Sequence, residues 1–313
     1  MELLLWLLLF IGCLAVLILA SHFFVGSAEI IGTALGMPRF VVGVVIVGIG
    51  TSLPELVSSL FALFSYKSEI VIGNVLGSNI ANIFLVLGIV GILAGKLTIK
   101  YDLLRFDLPF LLGSTLLLAL MILDTQLSVA EGGILFLCLI VYLFNSIKGG
   151  AGKDKKVKKT GLKSWILLFV SPLFIFLSAK FLVDSVIAIS EILDIGTEVI
   201  AMSAVALGTS LPEVLVTITA ARRGNLEMAI GNIIGSNIFN IFAVMGIPGL
   251  VSIFLKDKFL IIPETILYFS LPACIAATLL CIVITLDKKI NRWEGILLLV
   301  FYIFFIGKIL NLL

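Results

Sequence analysis

One six-residue segment, GTSLPE, occurs twice in this chain of 313 residues, at positions 50–55 and 208–213. A second shared segment follows each copy at the same distance, as GNVLGSNIAN at 73–82 and as GNIIGSNIFN at 231–240. The matching positions lie 158 residues apart, for example 213 − 55 = 158 for the two glutamates. The chain therefore consists of two related halves, and its fold must place both copies of each segment at equivalent positions.

The repeated segments lie within apolar runs that are long enough to cross a bilayer. A transmembrane helix needs about 20 apolar residues, and such runs follow one another almost without interruption in this chain. Only 13% of the residues are charged, which is too few to cover the surface of a soluble protein of this length. The runs are continuous rather than alternating over roughly ten residues, which excludes a transmembrane β-barrel. We therefore predict an all-α polytopic membrane protein.

Ten transmembrane helices are predicted, at 3–35, 38–64, 70–94, 105–123, 129–147, 165–192, 197–221, 227–254, 260–286 and 293–312. The first run lacks a positively charged segment, since Glu2 is its only charge, so we interpret it as a spanning helix rather than a signal peptide. The four cysteines lie in apolar runs without CxxC pairing. We expect them to be buried small residues rather than a disulfide framework or a metal site.

A basic linker at 148–164 divides the chain into halves of five predicted spans each, 1–147 and 165–313. The paired segments occupy 50–82 in the first half and 208–240 in the second. Because five is odd, the second half must enter the membrane in the opposite orientation to the first. This predicts two inverted-topology five-helix repeats, the architecture of many secondary transporters.

The distribution of basic residues predicts the orientation in the membrane. If the basic linker is cytoplasmic, most other basic loop residues are on the same side: Arg39, Lys96, Lys100, Arg105, Arg222, Arg223, Lys288, Lys289 and Arg292. The opposite side retains Lys67, Lys256, Lys258 and Lys308. Following the positive-inside rule, we predict a cell-membrane protein with a cytoplasmic central loop and extracytoplasmic termini. We interpret the linker as a solvated loop and expect no nucleic-acid partner.

Two glutamates, Glu55 and Glu213, lie deep in apolar spans. A charged side chain at the bilayer centre costs about 2.5–3.5 kcal/mol on insertion scales, and such residues usually mark ion pathways. Two facing carboxylates also repel each other unless a cation or protons neutralise them. Because the repeated segments contain no Lys or Arg, the expected partner is mobile, either a metal ion or H⁺. A protonated, hydrogen-bonded helix contact is the weaker alternative for a matched pair with identical neighbours.

The residues beside each glutamate supply further oxygen atoms. Pro54 and Pro212 lack an N–H and clash with the carbonyl four residues earlier, which predicts a break or kink at Gly50 and Gly208. Carbonyls freed there must face a cavity or other protein groups at membrane depth. The neighbouring hydroxyls belong to Thr51, Ser52, Thr209 and Ser210.

The second repeated segment places polar residues at i, i+4 and i+8, so they share one helix face. These residues are Asn74, Ser78 and Asn82 in the first half, and Asn232, Ser236 and Asn240 in the second. Asn79 and Asn237 lie one position off this stripe and are predicted to hydrogen-bond between helices. A site of carboxylate, carbonyl, hydroxyl and amide oxygens, without His or Cys, suits Ca²⁺ or Na⁺ and not zinc or copper.

GTSLPE followed by GNxxGSNIxN, present twice in inverted halves, resembles the α-repeats of the sodium/calcium exchanger family of the cation/calcium exchanger superfamily. The resemblance covers nearly the whole chain and is to the compact prokaryotic type of member. It implies ten helices, of which the second, third, seventh and eighth surround the ions. It also implies a transporter rather than an enzyme, without an organic cofactor, that exchanges Na⁺ for Ca²⁺ by alternating access. The typical exchange is electrogenic, with three Na⁺ for one Ca²⁺.

The resemblance also implies a role for each motif position. Glu55 and Glu213 would bind Ca²⁺ through their carboxylates, together with the carbonyls of Thr51 and Thr209. The flanking Na⁺ sites would be completed by Ser52, Ser78, Ser210 and Ser236, and Asn82 and Asn240 would lie at the centre. The first and sixth helices would slide together across the other eight as a gate, and one protomer would be the functional unit.

One position departs from the family pattern, because many members carry an aspartate where this chain has Asn240. The site then holds at most two negative charges, which balance one Ca²⁺ or two Na⁺, so three Na⁺ would leave excess positive charge. The departure also weakens a potassium-dependent mode. H⁺/Ca²⁺ antiport is therefore the alternative, although proton-coupled relatives usually carry GNxxE instead of GTSLPE. A channel fits inverted halves less well, and an intramembrane hydrolase would need a nucleophile and base that the motifs lack.

Overall fold

The computed structural model describes residues 2–64, 68–94, 99–150, 160–192, 197–254, 259–310 and 312. Within its helices, side chains are described except at 69, 94, 149–150, 183, 186, 190 and 197–209. Most of the basic linker (151–159) and the lysines at 67, 96, 256 and 258 therefore lie outside the described residues. The same holds for the side chain of Thr209.

The described residues of the first half form five helical spans, as predicted, and the second and third spans each contain a π-helical segment. The elements are α1 (Glu2–Ala34); α2 (Arg39–Val41), a π-helical segment (Val42–Gly48) and α3 (Ile49–Phe64); α4 (Ser68–Ile80), a π-helical segment (Ala81–Leu87) and α5 (Gly88–Ala94); a 3₁₀ turn (Leu103–Arg105) and α6 (Asp107–Met121); β1 (Gln126–Ser128); and α7 (Val129–Gly150).

The described residues of the second half form five more spans. The elements are α8 (Leu162–Ile192); α9 (Thr197–Arg222); α10 (Leu226–Phe239), a π-helical segment (Asn240–Met245) and α11 (Gly246–Val251); a 3₁₀ turn (Ser252–Phe254); β2 (Phe259–Ile261); a π-helical segment (Ile266–Ser270) and α12 (Leu271–Thr285); and α13 (Arg292–Ile309). Among the described residues, seven helices are long and apolar enough to cross a membrane, and the shorter Asp107–Met121 is also apolar.

The helices continue through both prolines, so the predicted break at Gly50 and Gly208 is wrong, whereas the alternative, a kink, stays a prediction. Pro54 lies inside α3 and Pro212 inside α9. In the second span, the hydroxyl of Thr51 donates back toward the carbonyls of Val47 (3.1 Å) and Gly48 (3.3 Å). These bonds add a side-chain donor to carbonyls of the preceding turn, whereas the carbonyl that faces the Pro54 ring is that of Gly50. The irregularity of this span lies earlier, in the π-helical Val42–Gly48.

Large apolar side chains on α1, α8 and α13 remain exposed on the outside of the bundle, for example Phe169 at 73% and Ile303 at 68%. Such a surface fits hydrocarbon and not water. Polar side chains are instead buried inside, where α3, α4, α9 and α10 pack against one another. The protein is thus a membrane-embedded helical bundle whose polar groups are concentrated at its centre.

Contacts between equivalent residues relate the two halves. Thr115 and Thr278, which are 163 positions apart, share a hydrogen bond of 3.2 Å between their hydroxyls. Gly88 packs against Gly295 just as its counterpart Gly246 packs against Gly132. Reciprocal contacts of this kind are expected of two repeats related by a twofold axis. A short ladder that the sequence analysis did not predict joins β1 to β2 in antiparallel register, with Leu127 opposite Leu260.

Candidate functional site

The two glutamates meet where α3 crosses α9. Glu55 lies on α3 and Glu213 on α9, and each is only 1% exposed. The hydroxyl of Ser52, one turn before Glu55 on α3, donates to Oε1 of Glu213 at 3.3 Å. This bond places the carboxylate of the second repeat beside the first-repeat helix that carries the other carboxylate. No described Lys or Arg forms an ion pair with either group, as the described ion pairs are Arg39–Glu29 and Lys288–Asp102.

Most of the buried side-chain oxygens that lack a hydrogen-bond partner belong to this site. Buried polar atoms are normally bonded, and leaving one unsatisfied costs about 1–3 kcal/mol. Of nine such oxygens among the described residues, seven belong to predicted site residues: both oxygens of Glu55, Oγ of Ser78, Oδ1 of Asn82, Oγ of Ser210, Oε2 of Glu213 and Oδ1 of Asn240. All seven can accept or coordinate, so the arrangement has the chemistry of a binding site for a hard cation.

Four asparagines form a reciprocal network at the α4–α10 contact. Nδ2 of Asn79 donates to the carbonyl of Asn237 at 3.1 Å, and Nδ2 of Asn237 lies 3.5 Å from the carbonyl of Asn79. Nδ2 of Asn82 donates to Oδ1 of Asn237 at 3.2 Å, and Nδ2 of Asn240 to Oδ1 of Asn79 at 3.1 Å. The predicted interhelical role of Asn79 and Asn237 is confirmed. Because the amide nitrogens of Asn82 and Asn240 are bonded, their amides are held with the oxygens free.

The hydroxyls of Thr51 and Ser236 lie together, where they are engaged by other protein groups. Oγ1 of Thr51 is 3.2 Å from Oδ1 of Asn232 and 3.4 Å from Oγ of Ser236. Ser236 in turn lies 3.4 Å from Oδ1 of Asn232 and 3.5 Å from the carbonyl of Gly48. Thr209 is part of α9. Ser78 and Ser210 differ from this pair because their buried hydroxyls lack partners.

Wide helical turns begin at the central amides. Asn82 is the second residue of the π-helical Ala81–Leu87, and Asn240 is the first residue of Asn240–Met245. Short π-helical segments inside α-helices occur frequently at functional sites. Both central amides therefore lie in the first turn of a π-helical segment.

Sequence reasoning missed two residues that position the polar stripe. Nδ2 of Asn74 donates to Oγ of Ser59 at 3.1 Å, and Nδ2 of Asn232 donates to Oγ1 of Thr217 at 2.7 Å. Ser59 and Thr217 are also 158 positions apart, so the constant offset of the repeat could have identified them. Asn74 also contacts the carbonyl of Glu55 at 3.2 Å.

The described residues contain no group of three or more His, Cys, Asp or Glu that could hold a metal ion. The site therefore offers two carboxylates and a larger number of neutral oxygens. That donor set does not suit zinc or copper, which prefer nitrogen and sulfur ligands, and it does suit Ca²⁺ and Na⁺.

Comparisons with known proteins agree with these features. The family described as sodium/calcium exchanger protein matches residues 5–148 and 163–310. The chain is 34% identical over 347 aligned residues to the sodium/calcium exchanger MaX1 of Methanosarcina acetivorans, covering 96% of this chain and 97% of MaX1. It is 32% identical over 259 residues to the inner membrane protein YrbG of Escherichia coli, covering 78% and 79%. A solved structure of the sodium-calcium exchanger NCX_Mj superposes with a TM-score of 0.85 at 31% identity, covering 97% of this chain and 99% of that one.

Proposed function

Because the chain belongs to the sodium/calcium exchanger family, whose members are secondary transporters and not enzymes, we propose that it exchanges Na⁺ for Ca²⁺ by alternating access. The carrying observation is the cluster of seven buried, unpartnered oxygens on Glu55, Glu213 and their neighbours. Such a cluster costs free energy in the protein alone, and a bound cation offsets that cost. The names of MaX1 and NCX_Mj support the same pair of ions.

In the proposed Ca²⁺ site, Glu55 and Glu213 supply the two negative charges that neutralise the ion. The carbonyls of Thr51 and Thr209 add neutral oxygens, since Ca²⁺ takes about 6–8 oxygen ligands. The hydroxyl of Thr51 is already bonded within the protein, so this residue contributes through its backbone.

The proposed Na⁺ sites flank the glutamates and use the serines of both repeats. Ser52 contacts Glu213 on one flank, where Ser236 also lies close to the first-repeat helix. Ser78 and Ser210 carry unpartnered hydroxyls and form the proposed opposite flank. Asn82 and Asn240 present neutral amide oxygens at the centre.

We propose an electrogenic exchange of about three Na⁺ for one Ca²⁺. Two carboxylates neutralise one Ca²⁺, whereas three Na⁺ in the same site leave one excess positive charge. The free oxygens of Asn82 and Asn240 support this stoichiometry, because these neutral oxygens can coordinate Na⁺ without adding a negative charge to the site. A net charge that differs between the two loaded states makes transport sensitive to voltage.

The proposed orientation places the linker at 148–164 in the cytoplasm and both termini outside, with a single protomer as the transporting unit. The two five-helix repeats would be 1–147 and 165–313. Alternating access would then proceed by sliding of α1 and α8, which pack along each other, across the remaining helices.

Calcium uptake into liposomes that contain the purified protein tests the proposal. An outward Na⁺ gradient and an outward H⁺ gradient are applied separately, and valinomycin with K⁺ clamps the voltage. We expect uptake that requires internal Na⁺ and increases when the clamped voltage favours net movement of positive charge out of the vesicle. Glu213→Gln in matched liposomes is the inactive control.

H⁺/Ca²⁺ antiport is the second candidate, favoured by the presence of only two carboxylates, which two protons would neutralise as well as one Ca²⁺. In the same liposomes it predicts uptake that follows the proton gradient, ignores internal Na⁺ and does not respond to voltage. That result would overturn Na⁺ coupling while keeping the two-glutamate site.

A further inference from the structure

A cavity separate from the glutamates lies between α1, the beginning of α8 and the turn that joins α9 to α10. Its volume is about 320 Å³, and its polar lining comes from His22 and Ser27 on α1, Lys163 and Ser164 on α8, and Arg223 in the turn. The mechanism proposed above uses none of these side chains.

The guanidinium of Arg223 faces this cavity without a carboxylate. Nη2 of Arg223 lies 2.8 Å from Nε2 of His22, and because a guanidinium only donates, the imidazole nitrogen is the acceptor of this contact. No described carboxylate pairs with Arg223 or Lys163, and the cavity lining contains no Asp or Glu. The nearby Glu29 is engaged elsewhere, by Arg39 at 3.1 Å and by Asn225 at 2.7 Å.

Gly26 allows Arg223 to lie flat against α1. A Cβ added at Gly26 would be 2.7 Å from Nη1 of Arg223, which is closer than side-chain contacts allow. The position of the guanidinium in the cavity therefore depends on the missing side chain. The lining of the cavity thus contains two cationic side chains, Lys163 and Arg223.

The other wall of the cavity is apolar and continues onto the outer surface of the bundle. Phe23 and Ile30 on α1 line the cavity and are 47% and 51% exposed, and Leu167 on α8 lines it from the other side. A soluble anion gains nothing from contact with this apolar wall. A lipid fits the cavity better, because its acyl chains can lie along the apolar surface while its headgroup reaches the cationic side chains.

We propose that this cavity is a phosphate-binding site for an anionic phospholipid. The phosphate binds between Lys163 and Arg223, with the hydroxyls of Ser27 and Ser164 available as further donors, and an acyl chain lies along Phe23 and Ile30. Basic pockets between transmembrane helices bind anionic headgroups, and arginine forms strong paired hydrogen bonds with phosphate. A bound lipid would connect α1 and α8 to the α9–α10 turn. This assignment does not depend on which ions the protein exchanges.

Quenching of Trp165 by brominated lipids tests the proposal. Trp165 lies next to Ser164, and its indole donates to Thr160 at 2.8 Å. Replacing Trp6 and Trp293 by Phe leaves it as the only tryptophan, because the chain has three. In phosphatidylcholine vesicles, brominated phosphatidylglycerol should bind beside Trp165 on the order of tenfold more tightly than brominated phosphatidylcholine.

The variants distinguish a built site from general charge attraction. Arg223→Gln should lower the preference and Lys163→Gln/Arg223→Gln should remove it, whereas Arg222→Gln, which removes the same single charge as Arg223→Gln at the neighbouring residue outside the cavity, should retain it. Gly26→Ala should lower the preference without any change of charge. Circular dichroism and a single gel-filtration peak establish that each variant is folded. For a variant that fails this check, native mass spectrometry of the unmodified protein compares retained phosphatidylglycerol with retained phosphatidylcholine.

Three results would overturn the proposal: equal quenching by both lipids, an equal loss of preference in Arg222→Gln, or equal retention of both lipids in the mass spectra. A separate experiment measures competition by millimolar inorganic phosphate. If phosphate removes the preference as effectively as unlabelled phosphatidylglycerol does, the ligand is a soluble anion and the lipid assignment is wrong.

Discussion

The two repeats have the same residues at the ion site but different hydrogen bonds. Ser52 of the first repeat donates to Glu213 at 3.3 Å, whereas its counterpart Ser210 has a buried hydroxyl with no partner. Ser236 is bonded within the protein, and its counterpart Ser78 is not. In a transporter built from inverted repeats, exchanging the environments of the two halves converts one access state into the other. The asymmetry therefore identifies the contacts that should break and form during transport.

Helix packing also differs between the two repeats, at a pair of equivalent glycines. A Cβ added at Gly235 would lie 2.7 Å from Cα of Val44, so α10 is packed closely against the π-helical Val42–Gly48. No described atom lies within 4 Å of a Cβ added at the equivalent Gly77 on α4. The second-repeat helix is thus fixed to its neighbour by backbone contact, whereas no atom of the described residues makes such a contact at Gly77 of the first-repeat helix.

The two carboxylates should contribute equally to ion binding. Removing either of them should therefore have the largest effect on Ca²⁺ binding and exchange. Glu55→Gln and Glu213→Gln each remove one of two charges facing a divalent ion, which should weaken Ca²⁺ binding about 100-fold or more. Isothermal titration with Ca²⁺ and liposome uptake measure this loss, with Val57→Ala at an exposed position of the same helix as a control. If either glutamine variant retained near-normal exchange, the shared two-glutamate site would be wrong.

Equivalent substitutions in the two halves of the asparagine network should also have equal effects on stability. Asn79→Ala and Asn237→Ala each remove a side-chain donor to a helix carbonyl and leave a buried amide nitrogen, of Asn240 or Asn82, without its acceptor, which costs about 1–3 kcal/mol. Thermal unfolding in detergent should therefore show large and similar decreases in midpoint for the two variants. A clear difference between them would mean that the reciprocal bonds are not equivalent in solution.

The spans and the buried polar cluster could be predicted because their physical signals are local. A run of about 20 apolar residues specifies a span, and a buried Glu55 is costly enough to indicate a ligand. The constant offset of 158 then identified its partner, Glu213. Asn79 and Asn237 were predictable for the same reason, since both lie one position off the polar stripe.

The π-helical segments and the asymmetry could not be predicted. VGVVIVG at Val42–Gly48 suits an α-helix as well as a π-helix, and packing against α10 decides between them. A break at Pro54 and Pro212 does not occur because each proline removes only one N–H, which leaves the other hydrogen bonds of the helix in place. Identical motif residues also contain no information about which repeat is packed more closely.

Close packing of one repeat predicts an unequal response to equivalent substitutions. Gly235→Ala forces a methyl group against the backbone of Val44, and overpacking of this kind typically costs about 1–3 kcal/mol. Gly77→Ala is the matched variant and should change the unfolding midpoint little. Equal destabilisation by the two substitutions would show that α4 is packed as closely as α10, which would remove this part of the asymmetry.

The serine pair should give the smallest effect and the most direct test of the asymmetry. In Na⁺-free detergent, Ser52→Ala removes a hydrogen bond to Glu213 and should lower stability by about 1 kcal/mol. Ser210→Ala removes a buried hydroxyl that has no partner, so stability should stay the same or rise. Both variants should reduce the extra stability that Na⁺ confers, because each loses a proposed ligand. If Ser210→Ala instead destabilised the Na⁺-free protein as much as Ser52→Ala, the two flanks would be equally bonded in solution. The exchange of environments would then no longer follow from these contacts.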